Sequence, residues 1–205
     1  MELLGSPTSP YVRKCRVVAH ETGQADDVKI SFLGLTPVSP NETVTQQNPL
    51  DKVPVLLRND GVALFDSRVI VEFLDTQSKT KKLFPETGPA RWNALRLQAI
   101  GDGIMDAAVF TRFYTGAGPK QYHWPEFLEG QIKKVTQALD VLEMEADELG
   151  HEANIGTVAV ACALGYLDFR YSETLDWRAG RDSLAGWCAA FCKRSSMRET
   201  EHYQP

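Results

Sequence analysis

Apolar positions in the first third of the chain alternate between two periods. Met1–Leu4 is a short apolar run that leads into Gly5-Ser6-Pro7-Thr8-Ser9-Pro10, which reads as a strand followed by a turn. From Tyr11 onward, Val12, Cys15, Val18 and Ala19 recur at helical spacing until Gly23 stops the pattern. Val28–Leu33 reads as a second strand, and 37–47 is polar and irregular with room for one helical turn. The segment Asn48-Pro49-Leu50-Asp51-Lys52-Val53-Pro54-Val55-Leu56-Leu57 runs into a third strand. Asn59-Asp60-Gly61 is a hairpin signal ahead of a fourth strand, Val62–Phe65. Ser67 opens a helix to about Asp75, with Val69, Ile70, Phe73 and Leu74 on one face. Strand–helix–strand at the start requires a parallel pair, whereas the hairpin requires an antiparallel one. The prediction is a mixed four-stranded sheet with helices on both faces.

Beyond the charged, proline-containing linker 79–88 the period is helical throughout. Patterns span Arg91–Phe113, 125–149 with Pro125 at the first helical position, 155–169 after an Asn154 cap, and 183–193. The expected organisation is therefore an α/β unit at 1–78 followed by an all-helical domain at 88–205.

Composition narrows the function classes. Lys plus Arg number 22 against 27 Asp plus Glu, a net charge of −5, and charged residues are 24% of 205. An acidic chain without a basic stripe argues against nucleic-acid binding. No apolar stretch approaches the roughly 20 residues of a membrane helix, and the N-terminus lacks the features of a signal peptide. The four cysteines, Cys15, Cys162, Cys188 and Cys192, are too sparse for a disulfide scaffold and read as reduced thiols in a cytoplasmic protein. His20, His123, His151 and His202 have no metal-site spacing, so no metal is assigned.

Three short constellations carry chemistry. Ser9 before Pro10 is first of all a helix cap, but a hydroxyl and free N–H groups at a helix N-terminus also stabilise an anion. A thiolate there is favoured, since thiols at such positions fall from about 8.5 into the range of about 3.5–7.5. Val53-Pro54 opens a strand, where proline marks an edge or a cis bond; the cis form leaves the groups of Val53 free to pair with a peptide-like ligand. Asp66-Ser67 at a helix start is again a cap, and also a place for an ammonium on Asp66 and a carboxylate on Ser67 and the helix N-terminus.

Taken in order along the chain, these motifs resemble the soluble glutathione transferases. The likeness covers essentially the whole chain and rests on 8–14 (Thr8 to Lys14), 48–56 (Asn48 to Leu56), 64–70 (Leu64 to Ile70) and 161–170 (Ala161 to Arg170). It is most similar to the bacterial, serine-type branch. The resemblance implies a thioredoxin-like N-terminal domain, a helical C-terminal domain and a homodimer. It implies that Ser9, with Thr8 as the alternative, stabilises the glutathione thiolate. It further implies that Val53 and Pro54 present the cysteinyl-pairing backbone, that Asp66 and Ser67 hold the γ-glutamyl end, and that Lys52 and Arg68 meet carboxylates. Pro7, Met105, Val109, Phe110 and Phe113 are expected around a small hydrophobic electrophile. Glutathione is then a co-substrate, and the enzyme conjugates it in a detoxifying reaction.

The departures from the family pattern are specific. Asp51 stands where glycine is frequent, so its charge either weakens glutathione binding or serves a turn. Asn154 and Thr157 replace the usual cap pair of the following helix. Tyr11 is expected to be packing, and Asp102 with Asp106, on one face of the long helix, a solvated or dimer-facing pair. Two other readings stay open: a glutathione-dependent thiol oxidoreductase or peroxidase, which needs a cysteine where Ser9 stands, and a non-catalytic protein-binding scaffold.

Overall fold

A computed structural model describes residues 1–205. Four strands, β1 (Glu2–Gly5), β2 (Lys29–Phe32), β3 (Val55–Leu57) and β4 (Ala63–Leu64), form one sheet in the order β2-β1-β3-β4. β1 pairs parallel with β2 and antiparallel with β3, and β3 pairs antiparallel with β4. Alternation along the strands separates two apolar layers. Leu3 and Leu56 face the main core with α1 (Pro10–Glu21) and α3 (Ser67–Thr76), while Leu4 and Val55 face Val44 of the single-turn α2 (Glu42–Thr45). The mixed sheet covered on both faces is as expected, and the polar segment 37–47 supplies the covering turn through one apolar residue.

The rest is helical: α4 (Gly88–Ala117), α5 (Pro125–Met144), α6 (Ala146–Leu149), α7 (Ile155–Tyr171), α8 (Asp182–Phe191) and α9 (Ser195–Arg198). Helix limits differ from the sequence reading by a few residues, and one short helix is additional. α4 continues past Gly116 to Ala117 before Gly118 turns out of the helix. The segment 125–149 breaks at Glu145 into α5 and α6. α9, one turn long, carried no periodic signal. No helix is long and apolar enough to cross a membrane.

α7 is the axis of the helical part, with buried side chains on all sides. The Asn154 side chain accepts from Gly156 N at 2.9 Å and Thr157 N at 3.1 Å. Thr157 Oγ1 accepts from Asn154 N at 2.9 Å in return, so the substituted pair still closes a reciprocal cap. α4 lies tight against α7 because both present glycine. A Cβ on Gly101 would stand 2.6 Å from the Ala159 carbonyl carbon, and one on Gly156 2.6 Å from the Ala94 oxygen.

Candidate active site

Strand register alone gathers the three sequence motifs. β1 ends at Gly5 and feeds the turn 6–9, and Leu4 lies opposite Val55, just after Val53-Pro54. Leu56 lies opposite Leu64, so β4 exits at that same end, into Asp66-Ser67. The helices α1 and α3 both start there and aim their N-termini at it. Surface hollows along α5, at Leu128 and Ile132, and between α6 and α8, at Gly150 and Trp187, share none of these residues. The converging motifs, not the depth of a cavity, define the candidate site.

At the turn, Ser9 Oγ accepts from Val12 N at 3.3 Å, which leaves its O–H free to donate outward. Thr8 Oγ1 lies 3.0 Å from Ser6 Oγ, within a local pair of hydroxyls. The Val53–Pro54 peptide is cis, as is Phe65–Asp66. Pro54 is buried and Val53 half-buried, and no backbone hydrogen bond within the chain uses the N–H or C=O of Val53. Lys52 is exposed, its carbonyl held by Asn48 Nδ2 at 2.8 Å. Asp66 Oδ1 caps Arg68 N at 2.9 Å while the carboxylate stays exposed; Ser67 is buried. Asp51 has a positive φ of 50°, and its carboxylate accepts from Thr45 Oγ1 at 2.8 Å. It therefore occupies a left-handed turn position of the kind glycine favours, with its charge tied to that turn.

The opposite wall is one stripe of α4. Asp102 is 1% exposed and joins three helices: Oδ1 accepts from Lys14 Nζ at 2.5 Å, and Oδ2 from Arg68 Nε at 2.7 Å. That hydrogen bond raises the Arg68 pKa and fixes the base of its side chain, while its outer end remains exposed. One turn on, Asp106 accepts from the Tyr11 hydroxyl at 2.6 Å. Burial and this carboxylate both push the Tyr11 phenol up. The expectation of a solvated or dimer-facing pair is thus corrected for Asp102, which is buried and paired; Asp106 is exposed and accepts from Tyr11. Tyr11 packs against the core as expected, but it also makes this bond.

Contacts 102–14 and 106–11 show α4 running antiparallel to α1. Continued at i+3 and i+4, that stripe brings Val109 level with the turn at Ser9 and Phe113 beyond it. Val109 is half-buried and Phe113 is 37% exposed. Phe110 lies off the stripe, stacked on Tyr114 at 5.6 Å and edge-on to Phe127 of α5 at 5.5 Å. Met105 is 0% exposed and belongs to the core, not to a pocket wall, because its position on α4 turns toward α7. Pro7 is buried, and its carbonyl accepts from Nδ1–H of His202 at 3.3 Å. Cys15 is fully buried inside α1, where burial raises its thiol. No cysteine stands at the turn.

Residues 8–77 match the glutathione S-transferase N-terminal domain family, and 125–190 match its C-terminal domain family. The uncharacterized GST-like protein YibF of Escherichia coli (strain K12) is 32% identical over 204 residues, covering 98% of each chain. The chain belongs to the glutathione S-transferase family. A glutathione transferase family member from Pseudomonas fluorescens Pf-5, solved with bound glutathione, is 44% identical with a TM-score of 0.96, over 99% of each chain. A second glutathione S-transferase, from Methylobacillus flagellatus KT and also solved with glutathione, is 35% identical with a TM-score of 0.87, covering 98% of this chain and 99% of that one.

The N-terminal match spans Thr8, Ser9, Val53, Asp66 and Ser67, whereas 88–117 lies outside both matches. What sequence reasoning missed is the pairing of Asp102, in that gap, with two cations of the N-terminal match, and one contact at the chain's end. Asp102 had an advance signal in its i, i+4 spacing from Asp106. Its cationic partners, 88 and 34 residues away, had none. Nothing in the sequence pointed to His202 against Pro7.

Proposed function

We infer that this protein is a cytoplasmic glutathione transferase of the serine type, organised as a glutathione-binding unit at 1–78 and a helical unit at 88–205. The observation that carries this reading is the convergence of Ser9, Val53 and Asp66-Ser67 at one end of the sheet. Relatives solved with glutathione and similar over the full length support it. The peptide-like part of glutathione pairs with the free N–H and C=O of Val53 beside Pro54. Asp66 takes the γ-glutamyl ammonium, and Ser67 with the α3 N-terminus takes its carboxylate. The outer guanidinium of Arg68 and the exposed Lys52 are the cations for carboxylates. The Ser9 hydroxyl donates to the sulfur at the N-terminus of α1, so glutathione binds as thiolate with its proton released to water. The thiolate attacks an electrophile held against Val109 and Phe113; the S–C bond forms as the leaving group departs or the acceptor bond is saturated. Thr8 is the alternative hydroxyl, but its contact with Ser6 occupies it locally. Exposed Val69 on α3 and Trp92 on α4 support a homodimer.

Titration calorimetry of the purified protein with glutathione tests the reading. Saturable heat at submillimolar glutathione that is lost in Asp66→Ala is the expected result. No heat at millimolar glutathione would exclude a transferase and leave the scaffold. Sedimentation should show a species near twice 22.8 kDa.

A further inference from the structure

The function above leaves unused a pair of nucleophiles at the C-terminal end of α8. Cys188 lies in the last turn of α8 and Cys192 caps its C-terminus, with Cys192 N bonded to Cys188 O at 2.9 Å. Their sulfurs are 3.8 Å apart. Both thiols are free. Cys188 is 3% exposed and Cys192 half-buried, so the pair is reached from the Cys192 side.

A direct S–S bond fits this spacing poorly. It needs about 2.05 Å between sulfurs and about 3.5–4.5 Å between Cβ atoms, and i, i+4 helical positions hold Cβ atoms about 5–6 Å apart. One atom bridging both sulfurs fits well. Two bonds of about 2.3 Å at a tetrahedral angle, as in zinc thiolates, span about 3.8 Å. Zinc itself needs four ligands, and no group of three or more His, Cys, Asp or Glu side chains assembles here. The ligand must therefore be satisfied by two thiolates and fill its remaining valence itself. A monosubstituted trivalent arsenical does so: arsenic keeps its organic substituent and forms two arsenic–sulfur bonds of similar length at a narrower pyramidal angle, so the free thiols need only close by a few tenths of an ångström from their 3.8 Å separation.

We propose that Cys188 and Cys192 form a dithiol site for monosubstituted trivalent arsenicals. The reaction is a condensation without redox change: R–As=O plus two thiols gives R–As bonded to both sulfurs plus one water, which carries away both thiol protons. Cys192 reacts first. A hydrogen bond from the Cys188 Sγ–H lowers the Cys192 thiol, with the charge of Arg13 acting the same way, against the cost of burial. The same bond and burial hold the Cys188 proton until arsenic displaces it. The second step is intramolecular, so the chelate outcompetes free monothiols such as glutathione.

Phenylarsine oxide on the reduced full-length protein tests this. One equivalent should reduce the thiols titratable in denaturant from four to two and add one phenylarsenic group to the intact mass. The adduct should survive millimolar glutathione and be stripped by 2,3-dimercaptopropanol. Peptide mapping of the wild-type adduct should place it on the segment holding both cysteines, independently of any variant's folding. Cys192→Ser should lose the glutathione-resistant adduct, and Cys15→Ser and Cys162→Ser should keep it. An adduct that glutathione removes, that maps to Cys15 or Cys162, or that persists in Cys192→Ser would overturn the assignment. So would four thiols still titrating after treatment.

Discussion

The two walls around Ser9 are made in different ways. On the sheet side, position comes from backbone: strand register brings the turn, Val53 and the start of α3 to one end, and each helix start is fixed by its own cap. A slip of one residue there would turn every side chain to the other face, so the spacing of motifs is tightly specified. On the helical side, position comes from one stripe of α4 and from how that helix is turned against α1 and α7. Asp102, Asp106, Val109 and Phe113 share that stripe, while Met105 faces the core. The sheet wall is written in local backbone and cap signals; the helical wall depends on a packing angle that a local pattern does not encode.

The joint between the walls is Asp102, and breaking it should have the largest effect. Asp102→Ala leaves Lys14, 0% exposed, without a counter-charge. Removing one partner of a buried pair costs about 3–5 kcal/mol, read as a lower urea midpoint. Replacing both, Asp102→Leu with Lys14→Met, should recover most of that loss, since neither buried charge remains. A single-variant cost under about 1 kcal/mol would mean the pair is not buried in solution.

Next in size is Ser9→Ala, which tests the sheet wall alone. A hydrogen bond to a charged group contributes about 1.5–3 kcal/mol, so the thiol pKa of bound glutathione should rise by about one to two units. Conjugation at neutral pH should fall about ten- to a hundredfold on the same arithmetic, with glutathione affinity little changed. Thr8→Ala, measured beside it, should be nearly silent. The reverse pattern would transfer the role to Thr8. No change in either would leave thiolate activation to backbone N–H groups.

The same contrast explains what was legible. The sheet, its pairing directions and its two-sided cover were readable because period-two runs and turn residues are local signals. The helix starts at Ser9, Asp66 and Asn154 were readable because caps are short motifs. The bond from Asp102 to Lys14 spans 88 residues, and the antiparallel register of α4 on α1 that makes it is a tertiary fact. Two glycines on facing helices, Gly101 and Gly156, set how closely α4 packs on α7, and neither announces its partner. Met105 was misplaced for the same reason: an apolar residue on a helix looks alike whether it faces a core or a ligand.

A third test links the walls through the chain's end. His202 stacks on Phe169 at 5.1 Å, donates to the Pro7 carbonyl and faces the charges of Arg13, Arg16 and Arg170. Burial first, then these arginines, lowers its pKa to about 3. The unfolded chain takes up that proton near pH 6.5, the folded one only near 3. Its stabilising contribution is thus present above about pH 6.5 and lost as pH falls toward 3, by up to about 1.4 kcal/mol per unit. His202→Phe should flatten the stability profile across that window relative to wild type. Parallel profiles would show that the ring is solvated and that the tail does not clamp the turn.

The smallest expected effect sharpens the helical wall. Phe113 is 37% exposed, about three turns beyond the buried Asp102 at 3.6 residues per turn, so an electrophile gains only part of a ring's contact there. Phe113→Ala should raise KM for an aromatic electrophile about three- to tenfold, which is about 0.7–1.4 kcal/mol. KM for glutathione should stay within about twofold, since the sheet wall is untouched. Met105→Leu, a volume-conserving change in the core, should alter neither KM, though a packing cost under about 1.5 kcal/mol is expected. Phe110→Ala should behave between the two, because its ring is engaged with Tyr114 and Phe127 and its loss loosens the α4–α5 aromatic group first. If Met105→Leu shifts the electrophile KM and Phe113→Ala does not, α4 is rotated by about one residue, roughly 100° at 3.6 residues per turn. The stripe through Asp102 and Asp106 would then have to rotate with it, and their bonds to Lys14, Arg68 and Tyr11 would fail in the same variants' stability data.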